Sequence, residues 1–169
     1  MTDPVTSFSG EYAFLSNFAP SPIKHDHRTW VTAEHLFQAM KTDDIGERHR
    51  ICMAETPGAA KRLGRSVTLR PDWEQRKRAV MLRVLLAKFS QNPELAGRLD
   101  ATHGRALAEG NTWGDTYWGA VQMDRGAISP GAAVWAPSET DSDTRWFAGR
   151  NWLGRLLMMV REVMHEEGC

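Results

Sequence analysis

Apolar residues recur at helical spacing in several separate stretches of this chain. In residues 30–41, W-V-T-A-E-H-L-F-Q-A-M-K, the positions Ala33, Leu36, Phe37 and Met40 form one stripe, which predicts a helix laid against a core. Thr32 stands before the stripe as a capping residue. Glu34 falls in the first turn, where the helix dipole favours an anion. Glu34, Gln38 and Lys41, at i, i+4 and i+7, make a second and polar stripe rotated from the first by about a third of a turn. Pattern alone leaves two readings open: a solvated edge in which Gln38 bridges Glu34 and Lys41, or a line of chemical groups. On either reading the dipole and Lys41 should keep Glu34 ionised near neutral pH.

Elsewhere the pattern predicts an edge strand over residues 8–18, a loop around Pro20 and Pro22, and a small hairpin turning at Asp26-His27. Asp43-Asp44 starts a helix running to about Ala54, and Thr56-Pro57 starts another that Gly64 closes. Asp72, with Gln75 three residues on, opens the longest helix so far, which buries Trp73, Val80, Met81, Val84, Leu85 and Phe89. Asn92-Pro93 repeats the cap-plus-proline start, and that helix ends before His103. Residues 106–121 read as strand, glycine-rich turn and strand, with Gly110, Gly114 and Gly119 letting the backbone approach a ligand. Asn151 caps a last helix with the stripe Leu153, Leu156, Leu157, Val160, Val163 and Met164. The expected core draws on Leu36, Phe37, Met40, Val80, Val84, Phe89, Leu156, Leu157 and Val160. Residues 124–147 lack periodicity and are expected to form a long loop, mobile without ligand, at the rim of a pocket. The fold class is α+β: a mainly helical single domain over residues 1–169 with short strands and hairpins.

Charge narrows the partners. Lys and Arg total 21 and Asp and Glu total 21, so any contact with nucleic acid rests on a local patch such as Lys61, Arg62 and Arg65 with the basic residues of 76–88. No run is apolar enough to span a bilayer, and a soluble, cytoplasmic protein is expected. Cys52 and Cys169 give neither a disulfide framework nor a zinc spacing. His25, His27 and His35 have no acidic or cysteine partner at ligand spacing, so no metal is expected. Trp113, Trp118 and Trp135 sit among glycines and polar residues, where an aromatic can serve as a stacking platform. Asp115, between two of them, is balanced between capping its turn and carrying chemistry.

Taken together, several blocks resemble the NADAR family of YbiA-like N-glycosidases. They are F-x-G at 8–10, F-L-S-N-F at 14–18, W-x-T-A-E-H-x-F-Q-A-x-K at 30–41, and A-K-R-L-G-R at 60–65. W-E-x-x-K-x-x-V-M at 73–81, A-K-F at 87–89, N-T-W-G-D-T-Y-W-G at 111–119 and G-R-N-W-L-G-R-L-L-M at 149–158 follow in the family's order. Asp26-His27 departs from the Asp-Gly of many members, and residues 124–147 exceed the short link of compact ones. The resemblance implies hydrolysis of a ribose-to-nitrogen bond, in a phosphoribosylamino-pyrimidine of riboflavin synthesis or in guanine carrying ADP-ribose, including ADP-ribosylated DNA or RNA.

It also places the family's functional residues on Glu34, Trp73 and Asp115. Cleavage of such a bond builds oxocarbenium character, which calls for a carboxylate near C1′ and a donor to the departing nitrogen. Glu34 is expected to stabilise the ribose or orient water, and Asp115 to donate the proton or bind ribose hydroxyls. Lys41 and the loop around Gly114 suit phosphate. Trp73, Phe14 or Trp113 suits base stacking, and Asn17, Gln38 and Trp118 complete the expected substrate contacts. No cofactor is expected. Two other readings stay open: a non-catalytic module that binds ADP-ribose or a nucleotide, and a helical nucleic-acid adaptor.

Overall fold

The computed structural model describes residues 3–123, 134–135 and 146–166. Strands β1 (Pro20–His25) and β2 (Arg28–Thr32) form the hairpin, and Asp26 and His27, with φ of 48° and 58°, make its two-residue turn. Two successive left-handed residues suit a primed turn, so histidine replaces glycine here at a modest steric cost. Pro20 and Pro22 lie inside β1 rather than in the expected loop. A two-stranded sheet is all edge, and proline is tolerated where no ladder N–H is required.

Residues 8–18 do not form the expected strand. Gly10, at φ 55°, opens a 3-10 helix spanning Gly10–Leu15. Its adjacent Phe14 and Leu15 are both buried, which strand neighbours pointing to opposite faces could not achieve against one core. The turn is fastened from below by Lys88, whose Nζ donates to Phe14 O at 2.6 Å and Ser16 O at 2.9 Å. Lys88 is fully buried, and desolvation pushes its ammonium down to about 7.

Helix α1 (Ala33–Ala39) follows the hairpin directly and packs against α2 (Ile45–Cys52), α3 (Pro57–Leu63) and α4 (Trp73–Ser90). Thr32, Asp44 and Thr56 cap α1, α2 and α3 with side-chain acceptors, as their positions predicted. Asp72 makes no such bond and pairs instead with Arg76 at 3.1 Å. Asn92 likewise spends its amide on Pro22 O and Lys88 O, tying the start of α5 (Pro93–Asp100) to the hairpin. Helix α6 (Trp152–Glu166) closes the core against α4 and α5. Seven of the nine expected core residues are buried, while Met40 and Val80 are half-buried; Val163 on α6 is 42% exposed.

A second sheet has the order β3-β4-β6-β5, with β3 (Gly110–Asn111) parallel to β4 (Ala120–Met123). Strand β6 (Trp146–Ala148) pairs antiparallel with both β4 and β5 (Val134–Trp135). The rest of 124–147 lies outside the described residues, and with it the expectation of a mobile rim loop.

Candidate active site

The start of α1 is held from three sides. Thr32 Oγ1 accepts from His35 N at 3.3 Å and lies 2.8 Å from His35 Nδ1, while His35 Nε2 lies 3.1 Å from Ala54 O. A carbonyl can only accept, so Nε2 carries the proton and Nδ1 accepts from the threonine hydroxyl. His35 is thereby a structural pin. Glu34 N donates to Asn17 O at 3.0 Å, which draws residues 16–18 over the helix start.

The polar stripe on this helix is not a solvated edge. Glu34 is 5% exposed and Gln38 4%. Gln38 Nε2 donates to Glu34 Oε1 at 2.7 Å, but Lys41 turns away and donates to Gly64 O at 3.2 Å. Gly64 must lack a side chain: a Cβ there would fall 2.0 Å from Gln38 Oε1. Burial pushes the Glu34 carboxyl up from its ordinary value and outweighs the Gln38 hydrogen bond and the charges of Lys61 and Lys41. Burial acts on Lys41 in the opposite sense and lowers its ammonium, with Glu34 opposing.

Across from α1 stands the segment 109–118. Asn111, buried, shapes it by accepting from Asp115 N at 3.0 Å and donating to Asp115 O at 2.8 Å. Asp115 Oδ1 accepts from Tyr117 N at 3.0 Å and Trp118 N at 2.9 Å, so one oxygen is committed to the turn. Asn151 stands directly before α6, where its O accepts from Arg155 N at 3.0 Å, and its side chain reaches back to this segment. Its Oδ1 accepts from Glu109 N at 3.1 Å and its Nδ2 donates to Leu107 O at 3.0 Å.

Between the two walls lies a cleft of about 570 Å³. Of the residues singled out in the sequence, Glu34, Asp115, Asn17, Gln38, Lys41, Trp73, Trp113 and Trp118 all line it. Trp73, Phe37 and Trp118 pack in series, tilted by 53° and then edge to face at 86°, with ring centres 5.3 and 5.4 Å apart, and form an apolar wall. Trp113 stands at the mouth, 68% exposed. Asn17 is buried with Nδ2 3.3 Å from Met81 Sδ, and its Oδ1 has no partner among the described residues. An unmet polar atom at such a position is a place for a ligand hydroxyl or amine.

Two expected contacts are not there. Phe14 is buried beneath the Arg98 guanidinium, 4.2 Å from its ring centre, and does not border the cleft. Gly114 does not border it either; its φ of 84° serves the turn, and a Cβ there would meet nothing within 4 Å.

Glu109 was missed. It lines the cleft, and its carboxyl accepts no hydrogen bond among the described residues. Burial, with Asp115 and Glu34 adding repulsion, pushes it up to about 7. The available signal was an acid embedded in the run A-L-A-E-G, whose Leu107 and Ala108 are fully buried. Lys61 also lines the cleft, its Nζ 5.7 Å from the Phe18 ring centre.

A family model of the NADAR domain matches residues 4–165. The chain belongs to the NADAR family. The N-glycosidase YbiA of Escherichia coli K12 is 39% identical over 169 residues, covering 97% of this chain and 91% of that protein. A riboflavin biosynthesis protein of Vibrio vulnificus is 35% identical over 157 residues, 92% of this chain but 36% of its own length. An N-glycosidase of Nostoc punctiforme is 33% identical, covering 89% of this chain and 85% of that one. The NMR structure of Escherichia coli YbiA matches with a TM-score of 0.73 at 37% identity, over 99% of this chain and 89% of that one. This NADAR protein thus has the mainly helical α+β fold that its sequence blocks implied.

Proposed function

We propose that the cleft hydrolyses the bond between ribose C1′ and a base nitrogen, with Glu34, Glu109 and Asp115 as the reacting and orienting carboxyls. The chain is a hydrolase of N-glycosyl bonds. What supports these roles is one observation: three carboxyls from two separate segments share a cleft with an aromatic wall and the cations of Lys41 and Lys61.

The base lies along Trp73 and Trp118, or beneath Trp113 at the mouth. Lys61 makes no ion pair among the described residues and supplies positive charge for a phosphate. Asp115 keeps one oxygen for the turn and offers the other to ribose hydroxyls, which makes it the orienting member. Glu109 holds a proton up to about pH 7. As the C1′–N bond breaks, its electron pair stays on nitrogen and takes that proton. Glu34, its Oε1 steadied by Gln38, stabilises the developing charge on C1′ and accepts a proton from the attacking water. The products are a free base or amine and a ribose with a hydroxyl on C1′. Proton exchange with solvent resets Glu34 and Glu109.

The substrate is a ribosylated base: a phosphoribosylamino-pyrimidine, in keeping with a Vibrio vulnificus relative named for riboflavin biosynthesis, or guanine bearing ADP-ribose in a nucleotide, DNA or RNA. A turnover assay offering both at equal enzyme concentration tests the reading. Release of ribose phosphate or ADP-ribose is expected from one of them. Tight binding of both with no release would leave a reader module in place of an enzyme.

A further inference from the structure

Far along the chain from the cleft residues of α1, the C-terminal end of α5 meets the C-terminal end of α6. Asp100 and His103 are spaced i, i+3 where α5 runs out into its turn, and Glu162 and His165 repeat that spacing on α6. Each carboxylate faces the other segment's imidazole. His165 Nδ1 lies 2.8 Å from Asp100 Oδ1, and His103 Nδ1 lies 4.0 Å from Glu162 Oε2. The two rings stack with centres 4.7 Å apart and planes 30° from parallel. Donor atoms of Asp100, His103 and His165 all lie within 4.8 Å of one another.

The turn that carries His103 is fixed rather than loose. Arg161, 5% exposed, donates through Nη1 to Thr102 O at 2.7 Å, Thr102 Oγ1 at 3.1 Å and Arg105 O at 2.9 Å, pinning the turn onto α6. The backbones that present the four side chains are therefore held in register before any ligand arrives. Hydrogen bonds alone do not require two imidazoles face to face on solvent with a carboxylate beside each. A cation with a preference for nitrogen donors satisfies all of them together.

We infer that Asp100, His103 and His165 form a binding site for a divalent transition-metal ion such as Zn²⁺, clipping α5 to α6, with Glu162, paired to Arg161 at 3.3 Å, beside His103. Imidazole with carboxylate selects Zn²⁺ or its first-row neighbours over Mg²⁺ and Ca²⁺, which take oxygen ligands. Zinc bonds of about 2.0 to 2.2 Å require the donors to close in by roughly 1 Å, within the side-chain freedom of residues at the surface. The site stands apart from the hydrolytic cleft, and its occupation is read in binding and stability rather than in turnover.

Metal-stripped full-length protein is titrated with ZnCl₂ by calorimetry, in parallel with MgCl₂, and its thermal midpoint is followed. One equivalent of Zn²⁺ should bind saturably and raise the midpoint, and Mg²⁺ should do neither. His103→Ala and His165→Ala, both at exposed positions, should each weaken Zn²⁺ binding by about 10- to 100-fold or more, the scale on which even supporting groups of metal sites act. His49→Ala and Cys169→Ser, the latter outside the described residues, should leave the titration unchanged. Absence of saturable Zn²⁺ uptake, a titration unaltered in both histidine variants, or its loss in Cys169→Ser would overturn the site.

Discussion

The two walls of the cleft are built on opposite plans. On the α1 side the charged groups are tied to neighbours, Glu34 to Gln38 and Lys41 to Gly64 O, and Glu34 N to Asn17 O, while Gln38 Oε1 and Asn17 Oδ1 have no partner among the described residues. On the 109–118 side the backbone is tightly bonded, through Asn111 and Asn151, but the Glu109 carboxyl carries none of those bonds. A group that must hold charge in one place gains from fixed partners. A group that must give up a proton and take it back gains from having few, and from an environment that keeps the proton on near neutral pH.

If that division is real, the two carboxyls should fail differently. Glu34→Gln is expected to keep the fold and ligand affinity and to lower turnover by about 10² or more, the usual scale for a positioned acid or base. A rate near wild type would remove α1 from the chemistry.

Glu109→Gln should lower turnover by about 10- to 10²-fold and change the pH profile as well. Since the proton on Glu109 is lost near pH 7, wild-type kcat/KM should fall above that value, and the variant should lack this limb. Stability should move the other way. In the wild type the folded carboxyl binds its proton more tightly than the unfolded one, from the ordinary 4.5 up to about 7, so stability falls as pH rises through that window. The variant should escape this loss and be the more stable protein at pH 8, by on the order of 1 to 3 kcal/mol in urea unfolding. Equal stability at pH 8 would place Glu109 in water.

Much of the α1 wall was legible in the sequence and little of its counterpart. Thr32, Asp44 and Thr56 cap helices because capping is a matter of three residues, and a local pattern reads it. Asn151 stands at the helix start that its pattern predicted, but its amide also reaches residues more than forty positions earlier, a contact no local pattern contains. The edge strand expected over 8–18 failed because the left-handed Gly10 turns the chain and the Lys88 ammonium, seventy-odd residues away, holds that turn. Phe14 was read as a stacking residue because it is aromatic, but its place in a 3-10 helix sends it into the core. Glu109 escaped notice because acidity in a strand reads as an exposed face; only the fold reveals what surrounds it.

The tightness of the α1 wall gives a third test. Gly64→Ala should displace the Gln38 amide and reduce kcat by about tenfold, and the loss should not add to that of Gln38→Ala, because the two act on one contact. Full additivity in the double mutant would mean that Gly64 acts elsewhere. The smallest effect belongs to the mouth. Trp113→Ala should leave folding untouched and raise KM by about fivefold, near the lower end of what base stacking contributes. An unchanged KM would put the base deeper, against Trp73.

The bond from Asn151 to Glu109 also fixes when the protein becomes competent during its own synthesis. Glu34 leaves the ribosome early and Glu109 much later, but the segment carrying Glu109 is anchored only once Asn151 has followed, and Leu153 of the next helix completes the cleft lining. A chain cut between residues 115 and 150 therefore has all three carboxyls and no assembled site, so hydrolysis should appear only in chains that carry α6 and have docked it.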